Sequence, residues 1–287
     1  MSKAKLKLLS AMGIFGTIGV FIKYIPLPSA TIAFARGLLG VLFLALVMLL
    51  TRKKLNVPEI KKNFLLLVLS GGAIGVNWVL LFESYRYTSV ATATICYYLA
   101  PLFLLLASPL LGERLTARKI KCISAALIGM VFVSGVTQGP IPTVSELRGI
   151  LLSVGAAVLY ASVMFMNKKM SPIGAYEKTI VQLGASAVVI FIYLLFSGNL
   201  SAPTLSPVQW VLLITVGILH TGVAYALYFG SMKDLSAETV ALFSYLDPVI
   251  AIFLSAFLLG EPITLSGIIG AVLILGSALY SELPSKK

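Results

Sequence analysis

Residues 82–113 read FESYRYTSVATATICYYLAPLFLLLASPLLGE, and residues 229–261 read FGSMKDLSAETVALFSYLDPVIAIFLSAFLLGE. At an offset of 147, Ser84/Ser231, Ser89/Ser236, Thr92/Thr239, Tyr98/Tyr245, Leu99/Leu246 and Pro101/Pro248 coincide. After a slip of one residue, Leu110/Leu258, Leu111/Leu259, Gly112/Gly260, Glu113/Glu261 and Thr116/Thr264 follow. A duplication inside a hydrophobic chain is a recurrent signature of membrane transporters. The rest of the sequence is read outward from it.

The chain has 287 residues, 59% hydrophobic and only 11% charged, with a mean hydropathy of +1.02. A soluble core of this length needs more charge to cover its surface. In a bilayer the apolar surface faces lipid instead, provided the backbone is satisfied inside helices. The net charge of +12 is spread over short stretches between apolar runs, so it speaks for loop charges against lipid headgroups and not for nucleic acid. Cys96 and Cys122 both fall inside apolar runs, which indicates neither a disulfide framework nor a metal cluster. Lys3, Lys5 and Lys7 precede an apolar run as in a signal peptide. That run, however, continues through Lys23 and Pro26 into another without a small-residue cleavage site, and so reads as an uncleaved first helix.

A membrane span needs about 20 apolar residues. Ten such stretches lie near 6–25, 29–51, 63–85, 89–111, 116–135, 145–167, 173–197, 207–231, 236–259 and 264–281. With the N-terminus inside, eighteen lysines and arginines fall in cytoplasmic segments and three (Lys23, Arg86, Arg148) in outer ones, so both termini are expected in the cytoplasm. Five spans per copy is an odd number, and the two copies therefore enter the membrane from opposite sides. The loops agree: GERLTARKIK after the first copy carries four basic residues, and GEPITLSG after the second carries none. The expected fold is all-α and integral to the membrane, with ten helices in two inverted five-helix repeats, residues 1–138 and 144–283. Inverted repeats are a common scaffold for alternating access.

These motifs resemble the EamA branch of the drug/metabolite transporter superfamily. The residues that carry the resemblance are AFARGLLG around Arg36, FESYRYTSVATAT, YYLAP and LLGE in the first half, with YALYFGSM, SYLDPV and LLGE in the second. The resemblance implies ten helices around a central cavity. It leaves the substrate open, since the superfamily moves amino acids, sugars, amines, nucleotide-like metabolites and drugs.

Candidate functional residues are those that a lipid-facing helix has no use for. Pro101 and Pro248 each lie about twelve residues into a span, near mid-depth at a rise of about 1.5 Å per residue. Each would kink its helix and free a carbonyl, that of Tyr97 or Ser244. Asp247, beside Pro248, costs roughly 3 kcal/mol at that depth and must face protein or water. It reads either as a proton site or ammonium anchor, or as a structural hydrogen-bond partner. His220 could relay a proton or simply bond a hydroxyl such as Thr221. Asn77, Trp78, Tyr97, Tyr98, Tyr225, Ser244 and Tyr245 would line a cavity suited to an amphipathic or cationic solute, or pack helices. Glu83 could hold a cation at the outer mouth, or pair with Arg86 three residues on. Arg36 could neutralise Asp247 or a substrate carboxylate, or snorkel to the interface. Glu113 and Glu261 are expected to cap the helices that follow them. Small-residue ladders (Gly149, Ser153, Ala157, Ala161; Gly71 and Gly75; Ala125 and Gly129) would pack helices closely, within the bundle or across a dimer.

No Walker A, HExxH, Cys–His set or nucleophile elbow occurs, so neither an enzyme, a cofactor, a metal nor an ATP-driven pump is expected. The sequence points to a secondary transporter in the bacterial inner membrane. It would move a small organic solute (amino acid, amine or related metabolite), coupled to protons and directed outward. Uptake of a cationic amine, multidrug export and a non-transporting channel or scaffold are the alternatives, and a monomer and a homodimer both remain open.

Overall fold

The computed structural model describes residues 2–52, 55–112, 116–133, 143–197, 204–232, 235, 243 and 246–282. The described residues are overwhelmingly helical: α1 (Lys3–Lys23), α2 (Ser29–Leu50), α3 (Val57–Ser84), α4 (Val90–Tyr97), α5 (Ala100–Leu106), α6 (Ala117–Val133), α7 (Val144–Lys169), α8 (Ala175–Phe196), α9 (Pro207–Gly217), α10 (Ala224–Met232), α11 (Leu246–Leu259) and α12 (Leu265–Glu282). A 3₁₀ turn, Ser108–Leu111, follows α5, and a π-helical turn, Ile218–Val223, joins α9 to α10. Helix starts follow local chemistry. Ser2, Asn56, Ser89, Thr143 and Ser206 each accept a backbone N–H of the first turn with their own side chain. Thr143–Glu146 and Ser206–Gln209 close full capping boxes.

Among the described residues six stretches are long and apolar enough to cross a membrane: α1, α2, α3, α7, α8 and Pro207–Tyr228; four further apolar helices are shorter. The outer surface is that of a membrane protein. On α2, Leu38, Leu42, Leu46 and Leu49 stand exposed in one row, as do Phe64, Leu65, Leu69 and Val76 on α3. A soluble protein does not leave such faces in water.

The expected kink in the fourth span is a break. α4 ends at Tyr97, Tyr98 and Leu99 turn, and Pro101 is the second residue of α5. There the ring needs no hydrogen bond and its fixed φ suits the first turn. Around the break Tyr98 N–H donates to the Thr94 and Ile95 carbonyls and Leu99 N–H to Cys96, while Leu102 and Phe103 both donate to Leu99. Buried Pro248 occupies the matching place, third in α11. Ser244 and Tyr245, expected in the site, lie outside the described residues, as does Glu113.

Packing is dominated by contacts between the first five apolar segments and the second five. α3 lies against α7 and α8, α1 against α10 and α11, α2 against α8, α9 and the π turn, α4 and α5 against α7, and α6 against α12. Exchanging each first-half segment for its sequence counterpart in the second maps these pairings onto one another: α3–α7 onto α10–α1, α3–α8 onto the α9/π–α2 contact, and α1–α11 onto α7–α4/α5.

The small-residue ladders are used inside this bundle. A Cβ on Gly71 would come within 2.5 Å of the Gln182 carbonyl on α8, and one on Gly75 within 2.9 Å of Ser186 Oγ. Gly129 of α6 and Gly270 of α12 meet backbone to backbone, and Gly149 of α7 meets Thr88. At Gly16 of α1 an added Cβ would stand 2.8 Å from the Asp247 carbonyl of α11.

Candidate substrate-binding site

Asp247 opens α11 in the half-buried first turn, and its Oδ2 accepts from the Tyr98 hydroxyl at 2.8 Å. Tyr98 sits at the break between α4 and α5, so the bond ties that break to the first turn of α11. Tyr97, beside it, donates to Asn77 Oδ1 at 3.3 Å. It also stacks on Tyr160 of α7, with centroids 5.4 Å apart at 22°. Asn77, 2% exposed, spends its amide N–H on the Ala156 carbonyl of α7. Tyr225 of α10 meets Phe15 of α1 edge-on at 5.5 Å.

Arg36 does not snorkel. It is 6% exposed, with its guanidinium 4.2 Å over the Trp78 ring and 5.8 Å from Phe82. Its Nε donates to Thr221 Oγ1 at 2.8 Å. The guanidinium lies within Coulombic range of Tyr225, Tyr97, Tyr85 and Asp247. Trp78 thus lies against one buried cation, Asn77 beside it bonds Tyr97, and Tyr98 bonds Asp247. The sequence signal for Arg36 was its isolation inside an apolar run. Tyr160, which sequence reading passed over, carried the same signal as the other mid-span aromatics.

His220 precedes Thr221, the partner of Arg36. It is fully enclosed in the π turn, with Nε2 2.7 Å from Thr17 Oγ1, Nδ1 3.3 Å from the Thr215 carbonyl, and Phe21 against its ring at 4.8 Å. The extra residue per turn brings both side chains back five positions, because Thr221 likewise bonds the Val216 carbonyl at 3.2 Å. Thr221 therefore serves Arg36, and Thr17 takes the place at His220 expected for it. π turns of this kind recur at functional sites.

Glu83 lies at the end of α3. Its Oε2 accepts from Ser29 Oγ at 2.6 Å and stands 3.6 Å from Arg86, a pairing away from the aromatic cluster.

Glu261 corrects the capping expectation. Its two carboxylate oxygens accept from the backbone N–H groups of Val90 (3.0 Å) and Ala91 (3.3 Å), at the start of α4 in the other half. Lys23 Nζ stands 3.9 Å away. Gly260, at φ +65°, turns the chain so that the carboxylate points back, and Thr264 accepts the Gly267 N–H at the start of α12 instead. Gly112 holds the corresponding φ, +79°, the left-handed conformation glycine adopts freely at a helix end.

Two surface grooves, of about 300 Å³ beside Lys121, Ala125 and Gly276 and about 350 Å³ beside Leu80, Leu147 and Leu151, lie away from this cluster. Among the described residues no group of His, Cys, Asp and Glu could hold a metal ion.

The uncharacterized transporter YxxF of Bacillus subtilis (strain 168) is 32% identical over 274 residues, covering 95% of this chain and 87% of the relative. An uncharacterized transporter of Archaeoglobus fulgidus is 25% identical over 268 residues, 93% of this chain and 92% of the relative. A solved structure titled "Crystal structure of protein" shares the fold, with a TM-score of 0.66 at 20% identity over 98% of this chain and 96% of the other. The profile of the EamA-like transporter family matches twice, at residues 2–135 and 147–281. A multi-pass membrane protein with these two matches and these relatives belongs to the EamA-like transporter family.

Proposed function

We propose that the protein is a proton-coupled secondary transporter of a small organic solute, an amino acid, an amine or a related metabolite. It works by alternating access between two inverted five-helix halves and moves the solute outward across a bacterial inner membrane, with both termini in the cytoplasm. The observation that carries this reading is the bond between Asp247 and Tyr98. It joins the break between α4 and α5 to the start of α11, where a carboxylate can exchange a proton for a solute ammonium group. The exchangeable packing pairs and the doubled family match support the two halves. Deeply placed ionisable groups in transporters mark ion and substrate pathways, and broken helices at a repeat interface form such sites.

The site residues have distinct parts. Asp247 holds the proton or the cationic end of the solute, with Tyr98 as its donor. Trp78, Tyr97 and Tyr225 offer aromatic faces, and Asn77 fixes Tyr97. His220 stiffens the π turn that positions Thr221.

Reconstitution into liposomes with an imposed pH gradient and a panel of amino acids and amines tests this. The wild type is expected to drive saturable, gradient-dependent flux that Asp247→Asn abolishes while solute counter-exchange survives. If gradient-driven flux persisted in both Asp247→Asn and His220→Ala, the coupling assignment would be wrong. Flux that neither saturates nor counter-exchanges would indicate a channel.

A further inference from the structure

We infer that the site is built for a zwitterion, a small solute whose ammonium group meets the Asp247 carboxylate while its own carboxylate meets the Arg36 guanidinium. The inference rests on reading the aromatic cluster as the substrate site, and adds to it the second charge. Arg36 and Asp247 are opposite charges joined by a short run of contacts: Tyr98 holds Asp247 and lies edge-on to Tyr97, Tyr97 bonds Asn77, and the next residue, Trp78, lies under the Arg36 guanidinium. They are nonetheless not paired: among the described residues, ion pairs form only between Lys23 and Glu261 and between Glu83 and Arg86. Instead each is held by neutral partners. Thr221 takes the Arg36 Nε and Trp78 underlies the guanidinium plane, while the Tyr98 hydroxyl holds Asp247 Oδ2. Thr221 is in turn tied to the Val216 carbonyl by the π turn.

A structural cation and anion buried together gain most by closing into a salt bridge, because each alone carries a desolvation cost of several kcal/mol. Fixing them apart leaves both fields available to a third body. Arg36 has five N–H donors, and Thr221 engages only Nε. No described carboxylate lies within 4.0 Å of the guanidinium, so no described anion takes the two-pronged contact its terminal nitrogens can make. A lone amine would meet Asp247 but sit in the field of Arg36. A lone acid would meet the reverse. A zwitterion satisfies both, with Trp78, Tyr97 and Tyr98, the rings in contact with the two charged groups or their partners, to meet its side chain.

The experiment is a thermal-shift titration of the purified protein with matched triplets. One is leucine, isoamylamine and isocaproate; the other is phenylalanine, phenethylamine and hydrocinnamate. For the wild type, the better amino acid is expected to bind about 10- to 100-fold tighter than its own amine or acid, the worth of one lost charge-assisted contact. Arg36→Gln should reduce the amino acid's advantage over the amine to within about threefold, and Asp247→Asn its advantage over the acid. If either variant fails to fold, the wild-type ratios still decide. An amine that binds the wild type as tightly as its amino acid overturns the inference and leaves the transporter reading intact with a cationic solute. If no member of either triplet binds, and none is carried into liposomes, the inference and the substrate-site assignment fall together.

Discussion

Replacing Glu261 with alanine removes a side chain that reaches from the second family match, residues 147–281, to cap a helix of the first, residues 2–135. The first turn of α4 has N–H groups without an intrahelical partner, and side chains take three of them before the helical ladder begins at Ala93. Glu261 takes Val90 and Ala91, Ser89 Oγ takes Thr92, and the Ser89 carbonyl takes Ala93. The Glu261 side chain is 14% exposed, so water replaces it poorly. Leaving a buried donor unpaired costs about 1–3 kcal/mol. Because Ala91 is only half-buried, the two together should cost about 2–4 kcal/mol. The Lys23 pair, at 3.9 Å and 32% exposed on the lysine, adds under about 1 kcal/mol. Glu261→Gln keeps one acceptor oxygen and should lose about half as much. Ser89→Ala, which removes an ordinary N-cap, should cost about 1 kcal/mol. Reversible unfolding in detergent micelles, followed by near-ultraviolet circular dichroism, gives the ranking Glu261→Ala, Glu261→Gln, Ser89→Ala from most to least destabilised. A Glu261→Ala protein within about 0.5 kcal/mol of wild type would refute the cross-half cap.

Three further substitutions separate packing from chemistry. Gly16→Val should cost about 1–3 kcal/mol and slow transport, because its Cβ would meet Ile250 Cβ at 2.7 Å and the Asp247 carbonyl at 2.8 Å; Gly13→Ala, with nothing within 4 Å, should be silent in the same melt. Gly260→Ala should destabilise by about 1–2 kcal/mol because its φ is +65°, whereas Gly184→Ala, helical and facing open space, should be neutral or mildly stabilising. Tyr98→Phe should reduce gradient-driven flux about 10-fold or more through loss of the bond to the Asp247 carboxylate, while Tyr97→Phe, losing a 3.3 Å bond to a neutral amide, should reduce it less than about threefold.

What could be read in advance follows the range of the interaction involved. The apolar segments and their turns were legible because hydropathy and turn chemistry are local. Gly112 and Gly260 of the repeated LGE hold the left-handed conformation, and Pro101 marks the break between α4 and α5. Partners across the bundle were not legible. Glu261 sits just before α12, which made a cap of α12 the natural expectation. It bonds α4, 170 positions away, and no periodicity encodes that. The π turn at Ile218–Val223 was equally hidden. One extra residue per turn shifts the face that Thr221 and every later residue present, so the hydroxyl expected at His220 serves Arg36. Snorkelling of Arg36 was excluded only by its burial against Trp78, a contact between helices distant in sequence.

The central claim is that two five-helix halves cross the bilayer in opposite senses, so that the repeated LGE turns lie on opposite sides. It is tested directly by sided labelling. With Cys96 and Cys122 replaced by serine, single cysteines at Thr116 and Thr264 are treated with a membrane-impermeant thiol reagent, in right-side-out and in inverted vesicles. The account predicts that position 264 reacts only from outside and position 116 only from the cytoplasmic side. Reaction of both positions from the same side would contradict it.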